Sequence, residues 1–223
     1  MSIDPMTIVF AGVAIFVCWR LWSVLGTRTG AERPPIQAPR PARFGGDVVD
    51  VTPAPRPAAP SPDRWKGVAE PGGKLAAGLD AIAVGDPAFD AQHFLVGARA
   101  AYEMIINAFA AGNVDALRGL LAPEPLTNFT NAIAARNAAG QTMVVTLVSL
   151  DKAEIVEAGV RDAMASISVK FASKMNSATT DRSGAVVEGS ATQTADHVDV
   201  WTFSRPLAAR NPNWLLAATE APH

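Results

Sequence analysis

Residues 163–175 read AMASISVKFASKM, and the alternation within them decides the fold. Ala165, Ile167, Val169, Phe171 and Met175 fall on one face, while Ser166, Ser168, Lys170 and Lys174 fall on the other. A period of two is that of a strand with one face on a core and one in water. Working outward, QTMVVTLVSL (141–150) is rich in β-branched residues and predicts the preceding strand. DRSGA (181–185) predicts a turn, and DHVDVWTFSR (196–205) a third strand on which His197, Asp199, Trp201 and Phe203 share a face. NPNWLLAATEA (211–221) predicts a fourth strand, with Trp214 and Leu216 on one side.

On the N-terminal side of Gly140 the period becomes helical. KLAAGLDAIAVGD (74–86) offers Leu75, Leu79 and Ile82 on one face and stops at Gly85, before Asp86-Pro87. Phe94, Leu95, Ala98, Tyr102, Ile105, Ile106 and Phe109 then recur at helical spacing, with Asp90 as the cap and Gly112-Asn113 as the stop. Asn113 predicts a cap for a further helix carrying Val114, Leu117, Leu120 and Leu121. Pro123 opens another, with Leu126, Phe129 and Ile133 inward and Gly140 as its end. Helices followed by a meander of strands specify an α+β domain, N-terminal helices packed on a curved antiparallel sheet. The curl of such a sheet predicts a cavity.

The N-terminal part of the chain is different. From Met6 to Leu25 the sequence is apolar apart from Arg20 and a few weakly polar residues, and as a helix it would span about 30 Å, a bilayer's hydrocarbon thickness. Asp4 and the absence of Lys or Arg before the run argue against a cleaved signal peptide, so residues 1–25 are read as a single transmembrane anchor. Arg20 can snorkel to the nearer headgroups while Trp19 and Trp22 occupy the interface, marking the membrane boundary. Arg28, Arg33, Arg40 and Arg43 follow the run and none precedes it, which predicts an N-terminus outside and the C-terminal domain in the cytoplasm. Between Ala31 and Trp65 lie nine of the 17 prolines, and residues 26–74 are read as a Pro/Ala/Arg-rich disordered linker. Its arginines suit anionic lipid as well as plain solubility. Residues 75–223 are the folded domain.

Composition excludes some functions. A net charge of −2 and a pI near 5.9 lack the basic excess of a nucleic-acid binder, so no nucleic-acid partner is expected. The single cysteine, Cys18, excludes a disulfide framework and a cysteine-based zinc site. Residues 86–223 contain ten basic and fourteen acidic side chains but no phosphate loop, nucleophile elbow, zinc pattern or dinucleotide fingerprint. No cofactor and no metal is expected, nor a catalytic residue. His197 and Asp199, two apart on a strand, are the best acid/base or metal-ligand pair available, and an ordinary His-Asp pair at a strand edge is the competing reading. His93 is read as a solvent-side residue. The pocket candidates are Phe94, Tyr102, Ile106, Phe171, Trp201 and Phe203; as large apolar side chains they serve equally as core.

Three motifs, RLWSVLGTRTGAERPP (20–35), FDAQHFLVGARAAYEMIINAFAAGN (89–113) and DVWTFSR with NPNWLLAATEA (199–205 and 211–221), carry a resemblance. They resemble the alphaproteobacterial TimA-like proteins, bacterial relatives of the mitochondrial inner-membrane import translocase subunit forty-four. The resemblance implies a nuclear-transport-factor-2-like shape with a large apolar pocket and a non-enzymatic scaffold at the bacterial inner membrane. It implies as partner a DnaK-type chaperone or an inner-membrane protein, and association with the membrane itself. The relative's chaperone-binding part lies N-terminal to the shared domain and is replaced here by the apolar run and the proline-rich stretch. The expected function is therefore an inner-membrane adaptor. The alternatives are a periplasmic secretion-assembly component and a small pocket enzyme using His197, Asp199 and Tyr102.

Overall fold

The computed structural model describes residues 64–209, 211 and 213–220. The anchor reading of residues 1–25, with Trp19, Arg20 and Trp22, lies outside the described residues, as does the linker reading up to residue 63. Four helices precede four strands: α1 Lys74–Gly85, α2 Ala91–Ala111, α3 Val114–Arg118, α4 Pro123–Ala138, then β1 Thr142–Arg161, β2 Met164–Thr180, β3 Val186–Pro206 and β4 Leu215–Glu220.

The helix boundaries follow local chemistry. The Asp90 carboxylate accepts from the His93 backbone N–H at 2.6 Å and starts α2. Gly112, at φ 68°, ends it in the left-handed conformation that glycine adopts without strain. Asn113 accepts from the Ala116 N–H at 3.0 Å to start α3. Pro123 sits in the first turn of α4, where its missing N–H costs nothing. The apolar face of α2 buries Phe94, Ala98, Tyr102, Ile105 and Ala108.

The strands form one open antiparallel sheet in the order β1-β2-β3-β4. Ala165, Ile167, Val169 and Phe171 of β2 have no exposed surface, whereas Lys170 between them is exposed, as the alternation requires. On the opposite face Ser168 and Thr202 join β2 to β3 through their hydroxyls at 2.8 Å. Three register shifts, at 147/149, 150/152 and 155/157, bend β1 as bulges do. Helix α1 lies close on it: a Cβ on Gly78 would sit 2.0 Å from the Ala158 carbonyl oxygen. The outer edge of β4 is met by the α3–α4 connection, where Leu216 N–H donates to Leu120 O and Ala122 N–H to Leu216 O, each at 2.8 Å.

Two boundaries differ from the sequence reading. The folded unit reaches N-terminal of Leu75, because Trp65 is 7% exposed, packs 6.0 Å from the Phe89 ring and donates from its indole to Asp80 at 2.8 Å. Counted with the linker because prolines surround it, Trp65 belongs to the core. The strands are also longer than the alternating stretches. The bulges break the period of two across residues 151–161, and the first half of β3 is largely exposed, so no apolar face marks it.

Candidate functional site

The inner face of the sheet does not fill the space between α2 and the β3–β4 end of the domain. A cleft of about 700 Å³ opens there, within the range of ligand sites. Its floor is α2, where Gly97, Ala98 and Ala101 keep the surface low and Met104 stands at the far end. One wall is the α1–α2 turn, with Asp86, Phe89 and Asp90; the other is Phe203 and Arg205 of β3 with Asn213 and Trp214 before β4. Met104, Gly119 and Leu120 are shared with a second groove of about 520 Å³, which continues along α2 past Asn107 and Ala111 beside Ala116 of α3. The two make one trough along the outer side of α2.

Its closed end is aromatic. The rings of Phe94 and Trp214 lie 5.0 Å apart edge to face, Phe94 and Phe203 6.0 Å, Phe89 and Trp214 6.1 Å, and Trp65 stands behind Phe89. The charge at this end is held by one ion pair. Arg205 points inward from β3 in the same parity as Trp201 and Phe203, is 8% exposed, and meets the Asp86 carboxylate. Its guanidinium lies 5.2 Å from the Trp214 ring centroid. The Arg205 Nε has no hydrogen-bond partner among the described residues. Asp90 and His93 stand exposed at the mouth.

Of the six pocket candidates, Phe94 and Phe203 line this cleft. Tyr102, Phe171 and Trp201 instead form a packed trio, with ring centroids 4.5 Å (Tyr102–Phe171), 4.6 Å (Tyr102–Trp201) and 5.8 Å (Phe171–Trp201) apart. Tyr102 and Phe171 have no exposed surface, and Trp201 is 6% exposed. Ile106 is half-buried against the same core. They are core because α2 packs its buried face over the sheet there, whereas the cleft lies where α2 meets the β3–β4 end. His93, read as solvent-side, is exposed at the cleft mouth.

The Tyr102 hydroxyl donates to Asp199 Oδ2 at 2.7 Å and lies 3.0 Å from Ser173 Oγ. Burial pushes the phenol well above its ordinary value, and the Asp199 hydrogen bond and charge add to that against the lowering effect of Ser173. A phenol held neutral beside a carboxylate is a cross-sheet tie: it satisfies the polar groups that α2 and β3 bring into the core. His197 faces inward beside Asp199, opposite Ser173. None of these groups lines the cleft described above.

Sequence reading missed Arg205, Asp86, Phe89 and the small-residue floor. Arg205 had a signal: an arginine at an inward strand position needs a buried partner. The floor had none, since glycine and alanine on a helix read as neutral surface. Helix α2 is also, by length and composition, apolar enough to cross a membrane, with a mean hydropathy of 1.2 over an 18-residue window of its 21 residues, a test that the core helix of a folded domain also passes. Among the described residues no cluster of three or more His, Cys, Asp or Glu side chains could hold a metal ion.

Comparison with known proteins gives one family. The description "Tim44-like domain" matches residues 75–221. No curated protein matches. Among solved structures, similarity extends to the intermembrane-space region of the chloroplast protein ARC6, 13% identical with a TM-score of 0.41, covering 57% of this chain and 95% of that one. It extends also to TsrD from Streptomyces laurentii, 14% identical with a TM-score of 0.23, covering 48% of this chain and 78% of that one.

Proposed function

The chain belongs to the Tim44-like domain family, which is associated with membrane-associated protein-translocation scaffolds, and on that premise we propose that it is a bitopic adaptor of the bacterial inner membrane. Residues 1–25 would anchor it, residues 26–63 would form the arm, and the α+β domain, read as nuclear-transport-factor-2-like and TimA-like, would stand in the cytoplasm. Its work would be tethering: the arm raises the concentration of the domain at the membrane without fixing its orientation. Partners would be an inner-membrane protein or a DnaK-type chaperone, with anionic lipid meeting the arginines of the arm.

One observation carries this reading: the trough along α2. A floor of glycine and alanine lets another backbone approach closely, and an aromatic end with a polar rim is the composition of a protein-recognition surface. The experiment is recovery of crosslinked partners from membranes by the full chain and by a version lacking residues 1–25. The reading expects partners to be lost or sharply reduced without the anchor; recovery of the same partners in equal amount contradicts it. An alkaline phosphatase reporter after residue 223 tests the orientation, and activity there would favour the periplasmic alternative.

A further inference from the structure

We propose that the first stretch of β1, Thr142–Val148, is an interface for a second copy of this chain, which pairs with it edge to edge and antiparallel about a two-fold axis at Thr146. β1 is an edge strand of the sheet. Such a strand offers a row of unpaired N–H and C=O groups, and folded proteins guard these rows with charges, bulges, short length or a covering segment. The other edges here carry those devices. β4 has six residues and meets the α3–α4 connection at Leu216. The part of β3 beyond β4 carries Glu188 and Asp196, a left-handed Gly189 at φ 72°, and an irregularity at which residues 191–194 drop out of the β2 register. The second half of β1 has bulges at 150/152 and 155/157, the charges of Asp151, Lys152, Glu154 and Glu157, and α1 packed on it at Gly78.

Residues 142–149, TMVVTLVS, lack this protection. They hold no charge, proline or glycine, and their register on β2 runs unbroken from Thr142 to Leu147. Among the described residues no backbone hydrogen bond outside the β1–β2 ladder involves them. Thr142, Val144, Thr146 and Val148 are exposed, Val144 by 58% and Val148 by 53%; Met143, Val145 and Leu147 between them are half-buried, the last two against the core. The pattern is its own complement. Reversed about Thr146, Val144 falls opposite Val148 of the second copy and Val145 opposite Leu147, so exposed valines meet each other and the inner faces join. Charge selects the same occupant. Asp151 is exposed just past one end of the stretch, and at the other end the exposed Arg182 lies over Gly140, where a Cβ would meet its side chain. Neither makes an ion pair among the described residues, and Lys152 beside Asp151 is engaged by Glu154 at 2.8 Å. Antiparallel pairing about Thr146 brings Asp151 of each copy to the Gly140–Gln141 turn, and so to Arg182, of the other. A parallel approach would set Asp151 against Asp151. The product is a continuous sheet of eight strands, four from each copy, that presents two troughs.

The pairing leaves the trough free and is tested by position-specific disulfides in the full chain. Cys18 is replaced by serine, and one cysteine is placed at Thr146 or at Thr142, both exposed. Under mild oxidation in native membranes Thr146→Cys, which opposes itself across the axis, should give a disulfide-linked homodimer on a non-reducing gel. Thr142→Cys, which opposes Leu150 of the second copy, should give none. Adding Val144→Lys to Thr146→Cys should abolish the homodimer without lowering the unfolding midpoint in micelles, because that position is 58% exposed. Adding Asp151→Lys should slow the crosslinking about tenfold, since the axis makes each substitution act at two contacts. Asp151→Lys together with Arg182→Glu should restore the rate. The inference is overturned by no homodimer from Thr146→Cys, an adduct to a different protein in its place, or equal yields from the two cysteines. A homodimer that survives Val144→Lys, or a double charge reversal as slow as the single one, overturns it equally. A partner crosslinked from the trough would stand in any of those cases.

Discussion

Arg205 on β3 meets Asp86 at the end of α1 across a separation of 119 residues, and Trp214 roofs the pair with its ring centroid 5.2 Å from the guanidinium. The contact closes one end of the cleft and ties the first helix to the last strands. An arginine that is 8% exposed has little water to fall back on.

Asp86→Asn should therefore destabilise the domain by about 3 kcal/mol, the cost of leaving a buried charge without its counter-charge. Urea unfolding of the full chain in micelles measures it. Arg205→Met, which removes charge and donors together while keeping volume, should cost less.

Gly78 and Gly97 are a matched pair on two helices. At Gly97 a Cβ meets nothing within 4 Å, so Gly97→Ala should stabilise by about 0.5–1 kcal/mol through helix propensity. At Gly78 the same atom would lie 2.0 Å from the Ala158 carbonyl oxygen, so Gly78→Ala should destabilise by about 1–3 kcal/mol as α1 is pushed off β1. Opposite signs in thermal unfolding check both.

The β1–β2 turn places Asp162 at φ 50° and Ala163 at φ 60°. Two successive left-handed residues belong to a hairpin turn that favours Asp-Gly. Ala163→Gly should stabilise by about 1 kcal/mol by removing the Cβ clash of the left-handed conformation. An unchanged or lowered denaturation midpoint would contradict this.

Tyr102 gives a pH dependence. Its phenol is held above the ordinary value of 10.0, chiefly by burial, so the folded state binds its proton more tightly than the unfolded state does. The resulting stability is fully present below pH 10.0 and is lost as pH rises through the raised value, because the unfolded chain ionises first. Stability measured above pH 10.0 should fall for the natural chain and less steeply for Tyr102→Phe. At neutral pH the same substitution should cost about 1–2 kcal/mol, because Asp199 loses its donor.

Much of the fold could be read from particular residues. The parity of Ala165 to Met175, the caps Asp90 and Asn113, Pro123 and the stop at Gly112 locate elements that the structure places at the same positions. Each is a local signal with a local cause. The site was less legible, since it depends on which aromatics meet across 100 residues of sequence. Phe94, Tyr102, Phe171, Trp201 and Phe203 are alike in kind, and only the crossing of α2 over the sheet assigns Tyr102, Phe171 and Trp201 to the core and Phe94 and Phe203 to the cleft wall. The trough itself is made of small residues, whose meaning lies in what is missing from their surface.

The central claim is that this trough is where a partner docks at the membrane. Its most direct test is a photo-crosslinking amino acid at Met104, in the trough, compared with the same group at Ser168 on the opposite face of the sheet, both in the full chain in native membranes. The account predicts a discrete protein adduct from Met104 that Gly97→Arg removes and that Ser168 does not form. Adducts from Ser168 alone, or a Met104 adduct indifferent to Gly97→Arg, would contradict it.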